Sequence, residues 1–172
     1  ILLLVIAVNL DAPDSRAQLW RVVALVFCVA GDVFLMLPRD AFVPGLASFA
    51  VAQMLFVVSF SVQDATASKF VIGLLIVLPL LLVISQRFVK GISLSGHNEL
   101  LAPVVVYMTV IGAMSISAIA GGTAWGIAGA FLFMLSDSLI AEDRFVKSRA
   151  WQPVGIMVTY HLALTGLVLG LL

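Results

Sequence analysis

The sequence predicts an all-α protein, a polytopic transmembrane helix bundle, and three observations carry that prediction. Of its 172 residues, 63% are hydrophobic and 10% charged, and the mean hydropathy is +1.21, far above soluble globular usage. The apolar residues gather into six runs close to the ~20 residues needed to cross ~30 Å of hydrocarbon, with a shorter run ahead of them. Two of these runs carry an aspartate, Asp32 and Asp137, although a charge inside a bilayer costs about 3 kcal/mol on insertion scales. The connections are too short for a soluble domain, so residues 1–172 are expected to form one transmembrane domain.

The first apolar run, residues 1–9, cannot span a bilayer. With no Met at position 1, it reads as a helix clipped at its start, so about seven helices are expected here, the first truncated. Pro13, Asp14 and Ser15 then suit a short loop and a helix start, with Trp20 and Arg21 at interface depth. The first full span is 17–37. Asp32 lies five residues before Leu37, roughly 8 Å inside the boundary at helical rise. Pro38, Arg39 and Asp40 turn the chain into a second span, 42–61, with Gln53 near its middle. The third, 70–85, contains Pro79, which is expected to kink it. Residues 86–99 form the longest polar connection, with Arg87, Lys90, His97, Asn98 and Glu99. Span 100–120 carries Pro103 and Tyr107, and span 125–141 carries Ser136 and Asp137. A charged loop, 142–152, leads to the last span, 153–172, which holds Tyr160 and His161. Small residues three or four apart, Gly122/Gly126/Ala130 and Gly166/Gly170, suit close helix packing or reflect the ordinary abundance of small residues in membrane helices.

Lysine and arginine divide unevenly between alternate connections. One set holds Arg39, Arg87, Lys90, Arg144, Lys147 and Arg149; the other holds Arg16, Arg21 and Lys69. The positive-inside tendency puts the first set in the cytoplasm and the C-terminus on the non-cytoplasmic side, and the expected setting is a bacterial inner membrane. Asp32 and Asp137 then reach similar depth, roughly 6 to 8 Å below one face at helical rise, with Gln53, Tyr107, Tyr160 and His161 roughly 10 to 17 Å deep. A polar pocket in the cytoplasmic half is expected.

Each supporting residue has a second reading. Gln53 serves as a ligand or as interhelical glue. Tyr107 and Tyr160 serve as ligands or as packing residues with bonded hydroxyls, and His161 titrates or sits neutral and satisfied. Ser136 and Ser138 flank Asp137 on other helix faces, so Ser-His-Asp catalysis has no supporting spacing. Nine basic residues balance nine acidic ones, which gives no argument for a nucleic-acid partner. The single cysteine, Cys28, lies mid-span and reads as a packing residue. His97 and His161 are the only histidines; no metal site and no cofactor are expected, and the oligomeric state is left open.

Three segments carry a resemblance. Gly31-Asp32-x-x-Leu35 running into Leu37-Pro38-Arg39, Phe42-x-x-Gly45-Leu46-x-x-Phe49, and Gly129-Ala130-x-Leu132-Phe133-x-x-Ser136-Asp137 together resemble the YhhN-like lysoplasmalogenase family of membrane proteins. The resemblance implies about eight helices in the full-length protein. It also implies hydrolysis of the vinyl ether bond of lysoplasmalogens, a lysophospholipid substrate met among membrane lipids, to a fatty aldehyde and a glycerophospho-ethanolamine or glycerophospho-choline. Asp32 and Asp137 carry over as the catalytic pair, with Gln53, Tyr107, Ser136, Tyr160 and His161 as candidate substrate-binding residues. Gln53 departs from the histidine that many members have in that span.

Vinyl ether hydrolysis starts with proton transfer to the β carbon and proceeds through an oxocarbenium ion. Two carboxylates sharing a low-dielectric site would supply a proton donor and a stabilising anion, with Asp137 as acid and Asp32 as its ionised partner. The lipid chain is expected among Phe34, Met36, Phe133 and Met134. The rival reading is a small proton-coupled carrier using the same aspartates as a relay. A third is a scaffold whose carboxylates only tie helices together.

Overall fold

Helix boundaries follow from capping chemistry and from the width of each apolar run. The computed structural model describes residues 1–38, 41–63 and 65–172, so Arg39 and Asp40 of the expected turn, and Arg39 of the charge count and motif, lie outside the described residues. The short first helix, α1 (Leu2–Asn9), is tied to the next by the Gln18 amide, whose Nε2 donates to the carbonyls of Ala7 at 2.8 Å and Leu10 at 2.7 Å. The second helix, α2 (Ser15–Met36), begins where the Asp14 carboxylate accepts from the backbone N–H groups of Arg16 and Ala17, as the Asp14-Ser15 pair predicts. Then follow α3 (Phe42–Val62), α4 (Ala67–Ser95), a 3-10 turn (Asn98–Leu100), α5 (Leu101–Gly121), α6 (Ala124–Phe145) and α7 (Gln152–Leu169). Six of these, α2 to α7, are long and apolar enough to cross a membrane.

Two boundaries differ from expectation. The polar connection at 86–99 is mostly helix: α4 runs unbroken through Pro79 and on to Ser95, ending at Gly96, whose φ of +79° is the left-handed geometry that glycine tolerates. The extension is stabilised because Phe88, Gly91 and Ile92 are buried, with Ile92 packed in a cluster with Phe42, Val104 and Phe145. The same cluster carries α6 past the expected end at Ala141 to Phe145, whose ring meets Phe42 edge-on at 5.8 Å. Asp137 consequently lies about 12 Å from its helix end at 1.5 Å per residue, and Asp32 about 6 Å from its own.

The long helices close on themselves: α2 packs on α3, α3 on α5, α5 on α6, α6 on α7, and α7 returns to α2. Helix α4 lies outside, against α5 and α6, and α1 fits against α2 and α7. Apolar side chains point outward, Leu75 and Val83 being about 70% exposed, as a lipid-facing surface requires. Helices α6 and α7 approach each other closely along their glycines. A Cβ on Gly129 would meet the Leu167 nitrogen at 2.6 Å, and one on Gly170 would meet the Gly126 Cα at 2.8 Å. The small-residue spacing at Gly126, Gly166 and Gly170 is therefore a packing device.

Candidate active site

Two stripes at helical period bring the polar groups inward. On α3, Phe49, Ala52, Gln53, Phe56, Ser59 and Phe60 are buried together. On α6, Gly126, Gly129, Ala130, Phe133, Met134 and Ser136 do the same, and Asp137 follows at the edge of that stripe. From α5, Tyr107 reaches the same point. Its hydroxyl donates to Asp137 Oδ2. Gln53 Nε2 donates to that oxygen at 3.2 Å and to the Tyr107 hydroxyl at 2.7 Å. One oxygen of Asp137 thus accepts two hydrogen bonds, and its partner Oδ1 accepts none among the described residues.

Asp137 and Tyr107 line an apolar cavity between α3, α4, α5 and α6, together with Phe42, Phe49, Met108 and Met134 among others. Asp32 lies elsewhere. Its Oδ2 accepts from the Tyr160 hydroxyl at 3.0 Å, and it faces a second cavity lined also by Cys28, His161 and Thr165. The cavities are back to back across one layer of rings. Phe49 lines the first and Tyr160 the second, and these rings pack edge to face at 6.0 Å. Phe133 completes the layer, 6.1 Å from Phe49 and 5.6 Å from Tyr160.

The expected site residues therefore divide. Asp137, Tyr107 and Gln53 form one group, and Asp32, Tyr160 and His161 another. Gln53 is fully enclosed and touches Tyr107 and Asp137, and it lines neither cavity. His161 bonds through Nδ1 to the carbonyl of Met157, one turn back on its own helix. Ser136 is buried, lines neither cavity, and donates to the Ile156 carbonyl of α7 at 3.2 Å. The expected lining for a lipid chain changes too: Phe133 is fully buried and Met36 is 83% exposed. Of the four residues expected there, Met134 lines the cavity that holds Asp137. Among the described residues no three His, Cys, Asp or Glu side chains group as metal ligands.

Two polar clusters lie outside the expected set. Arg21, expected at the interface, is completely buried; its Nε donates to Ser59 Oγ at 3.1 Å and its Nη1 to the Leu167 carbonyl at 2.9 Å, with the guanidinium 4.8 Å from the Phe60 ring centre. At the opposite end of the bundle Glu142 holds Arg87 and Arg149. Arg21 shares the inward stripe of α2 with Ala17, Ala24 and Cys28, a spacing present in the sequence. The ion cluster joins residues of α4, α6 and the α6–α7 connection, which no local pattern links.

Membrane-length helices that enclose a carboxylate with phenol and amide donors, beside an apolar cavity, define a polytopic membrane protein with a polar site between its helices. The chain belongs to the YhhN family, whose sequence profile matches residues 1–171. It is 33% identical over 140 residues to lysoplasmalogenase TMEM86B of Homo sapiens, covering 81% of this chain and 58% of that protein. It is 29% identical over 155 residues to the lysoplasmalogenase of Mycobacterium bovis, covering 88% and 59%. Lysoplasmalogenase TMEM86B of Mus musculus is 31% identical over 174 residues, covering 100% and 72%. The chain spans just under three-fifths of the human and mycobacterial relatives. No solved structure matches it significantly.

Proposed function

We propose that the protein is a lysoplasmalogenase-type hydrolase that cleaves the vinyl ether bond of a lysoplasmalogen. The reaction consumes one water and releases a fatty aldehyde and a glycerophospho-ethanolamine or glycerophospho-choline. Asp137 is its proton donor, and the sidedness follows the basic residues, with the C-terminus on the non-cytoplasmic face. The observation that carries the reading is the division of labour at Asp137: Tyr107 and Gln53 occupy Oδ2, and Oδ1 is left for substrate. The names of the relatives agree with it, and they lend the carrier reading no support.

A carboxylic acid with its proton on Oδ1 protonates the β carbon, and the electron pair of the double bond forms the new C–H bond. The ether oxygen shares the resulting positive charge as an oxocarbenium ion. The carboxylate left behind is stabilised by the Tyr107 and Gln53 donors and in turn stabilises the cation. Water adds to the cationic carbon and returns a proton, and the hemiacetal then breaks its C–O bond to release the aldehyde and the glycerol hydroxyl. Asp32, across the ring layer, supports this step from the side by handling water and protons. At about 50 Å³, the Asp137 cavity admits the reacting end of a lipid only when the side chains that line it part.

The test is aldehyde release from lysoplasmalogens by the purified full-length protein in detergent, with Asp137→Asn alongside. Release by wild type and its loss in a folded variant are expected. No release from any vinyl ether lipid would overturn the proposal.

A further inference from the structure

The Arg87–Glu142–Arg149 cluster plays no part in the proton chemistry, yet it is built. Arg87 donates through Nε and Nη2 to Glu142 Oε2 and Oε1 at 2.7 and 2.6 Å, and Arg149 Nη1 donates to Oε1 at 3.3 Å. The Glu142 side chain is 12% exposed, whereas those of Arg87 and Arg149 are 57% and 36% exposed. An enclosed carboxylate thus holds two accessible guanidiniums in place. Their remaining donors, Nη1 of Arg87 and Nε and Nη2 of Arg149, make no hydrogen bond among the described residues. Two cations against one anion leave a single positive charge, the complement of a phosphodiester, and the planar forks suit its oxygens.

The cluster also sits at the right place. Phe88, beside Arg87, and Ala141, beside Glu142, both line the cavity that holds Asp137. Glu142 is five residues beyond Asp137 on α6, about 7.5 Å along the axis. In a lysoplasmalogen the glycerol carbons and an ester oxygen separate the vinyl ether from the phosphorus, a comparable reach. We propose that Arg87 and Arg149, spaced by Glu142, bind the headgroup phosphodiester while the vinyl ether lies against Asp137. This rests on the hydrolase reading and deepens it: the phosphate is what the cluster recognises, so ethanolamine and choline lipids bind alike.

The experiment measures binding without turnover. A 1-alkyl lysophosphoethanolamine, which has no vinyl ether, and the matching 1-alkylglycerol, which has no phosphate, are titrated against the full-length protein in detergent, as wild type, Arg87→Gln and Arg149→Gln. Wild type is expected to prefer the phospholipid by tenfold or more. Each variant should lose about tenfold for the phospholipid alone. Unchanged 1-alkylglycerol binding shows that the variants are folded. Equal affinity of wild type for both lipids, or variants that weaken both alike, would overturn the proposal. So would displacement by inorganic phosphate as effective as by glycerophosphoethanolamine, which would mean that the site takes a free anion. Aldehyde release is measured separately, so failure of the hydrolase reading is seen there and failure of the headgroup site is seen in binding.

Discussion

Asp32 and Asp137 look alike in the sequence and unlike in the structure. Each lies in the C-terminal half of an apolar helix and follows a small residue, and the two helices run toward the same end of the bundle. Asp137 has two side-chain donors on one oxygen and a cavity of about 50 Å³, room for a few waters and lined almost wholly by apolar groups. Asp32 has one donor, Tyr160, and faces a cavity bounded also by His161, Thr165 and the α1 residues Leu2, Leu3 and Leu4. Residue type announces that an intramembrane carboxylate has work to do. The facing helices decide which work, because they determine how many donors it meets and what lines the space beside it.

The sharpest way to break this contrast is to neutralise each carboxyl in turn. Asp137→Asn should lower aldehyde release by roughly a thousandfold, within the range for a general acid. Asp32→Asn should cost about tenfold to a hundredfold, as expected of a group proposed to handle water and protons from across the ring layer without donating to the substrate itself. Circular dichroism should show both variants folded. Equal losses would mean that the two carboxylates act as one unit, as the sequence alone suggested.

A smaller effect sharpens the Asp137 side. Tyr107→Phe and Gln53→Leu each remove one donor from the same oxygen, and each should lower kcat by about tenfold with little change in KM. Their double variant should lose less than the product of the two, because the groups also bond each other. Strictly multiplicative losses would show that the two act on Asp137 independently of each other.

How far the sequence reached follows from what each signal encodes. Helix existence was legible because membrane length and apolar content are local properties, and every expected span has a helix. The far ends of α4 and α6 were not, because Ile92 and Phe145 are stabilised by Phe42 and Val104, partners that no local pattern links to them. Tyr107 and Gln53 were legible as polar residues in apolar spans, and their meeting at Asp137 was not, since that depends on how α3, α5 and α6 rotate about their axes. Ser136 shows the opposite failure: next to Asp137 in sequence, its hydroxyl bonds to α7.

Arg21 supplies the smallest expected effect and the widest test of the contrast. It is a buried cation like no other among the described residues, with Nη2 unpartnered, and it lies near the other end of the bundle from the carboxylates. Arg21→Met removes hydrogen bonds to Ser59 and Leu167, each worth about 0.6 kcal/mol between membrane helices. It also removes the desolvation cost of a charge that no carboxylate among the described residues offsets, and replacing such a buried ion with a well-packed apolar residue is often neutral or stabilising. These changes oppose each other, so the midpoint of thermal unfolding should shift by a few degrees at most and aldehyde release should stay within about twofold. A tenfold loss of activity without unfolding would mean that the chemistry depends on both ends of the bundle, and the distinction between the carboxylate end and the arginine end would have to be abandoned.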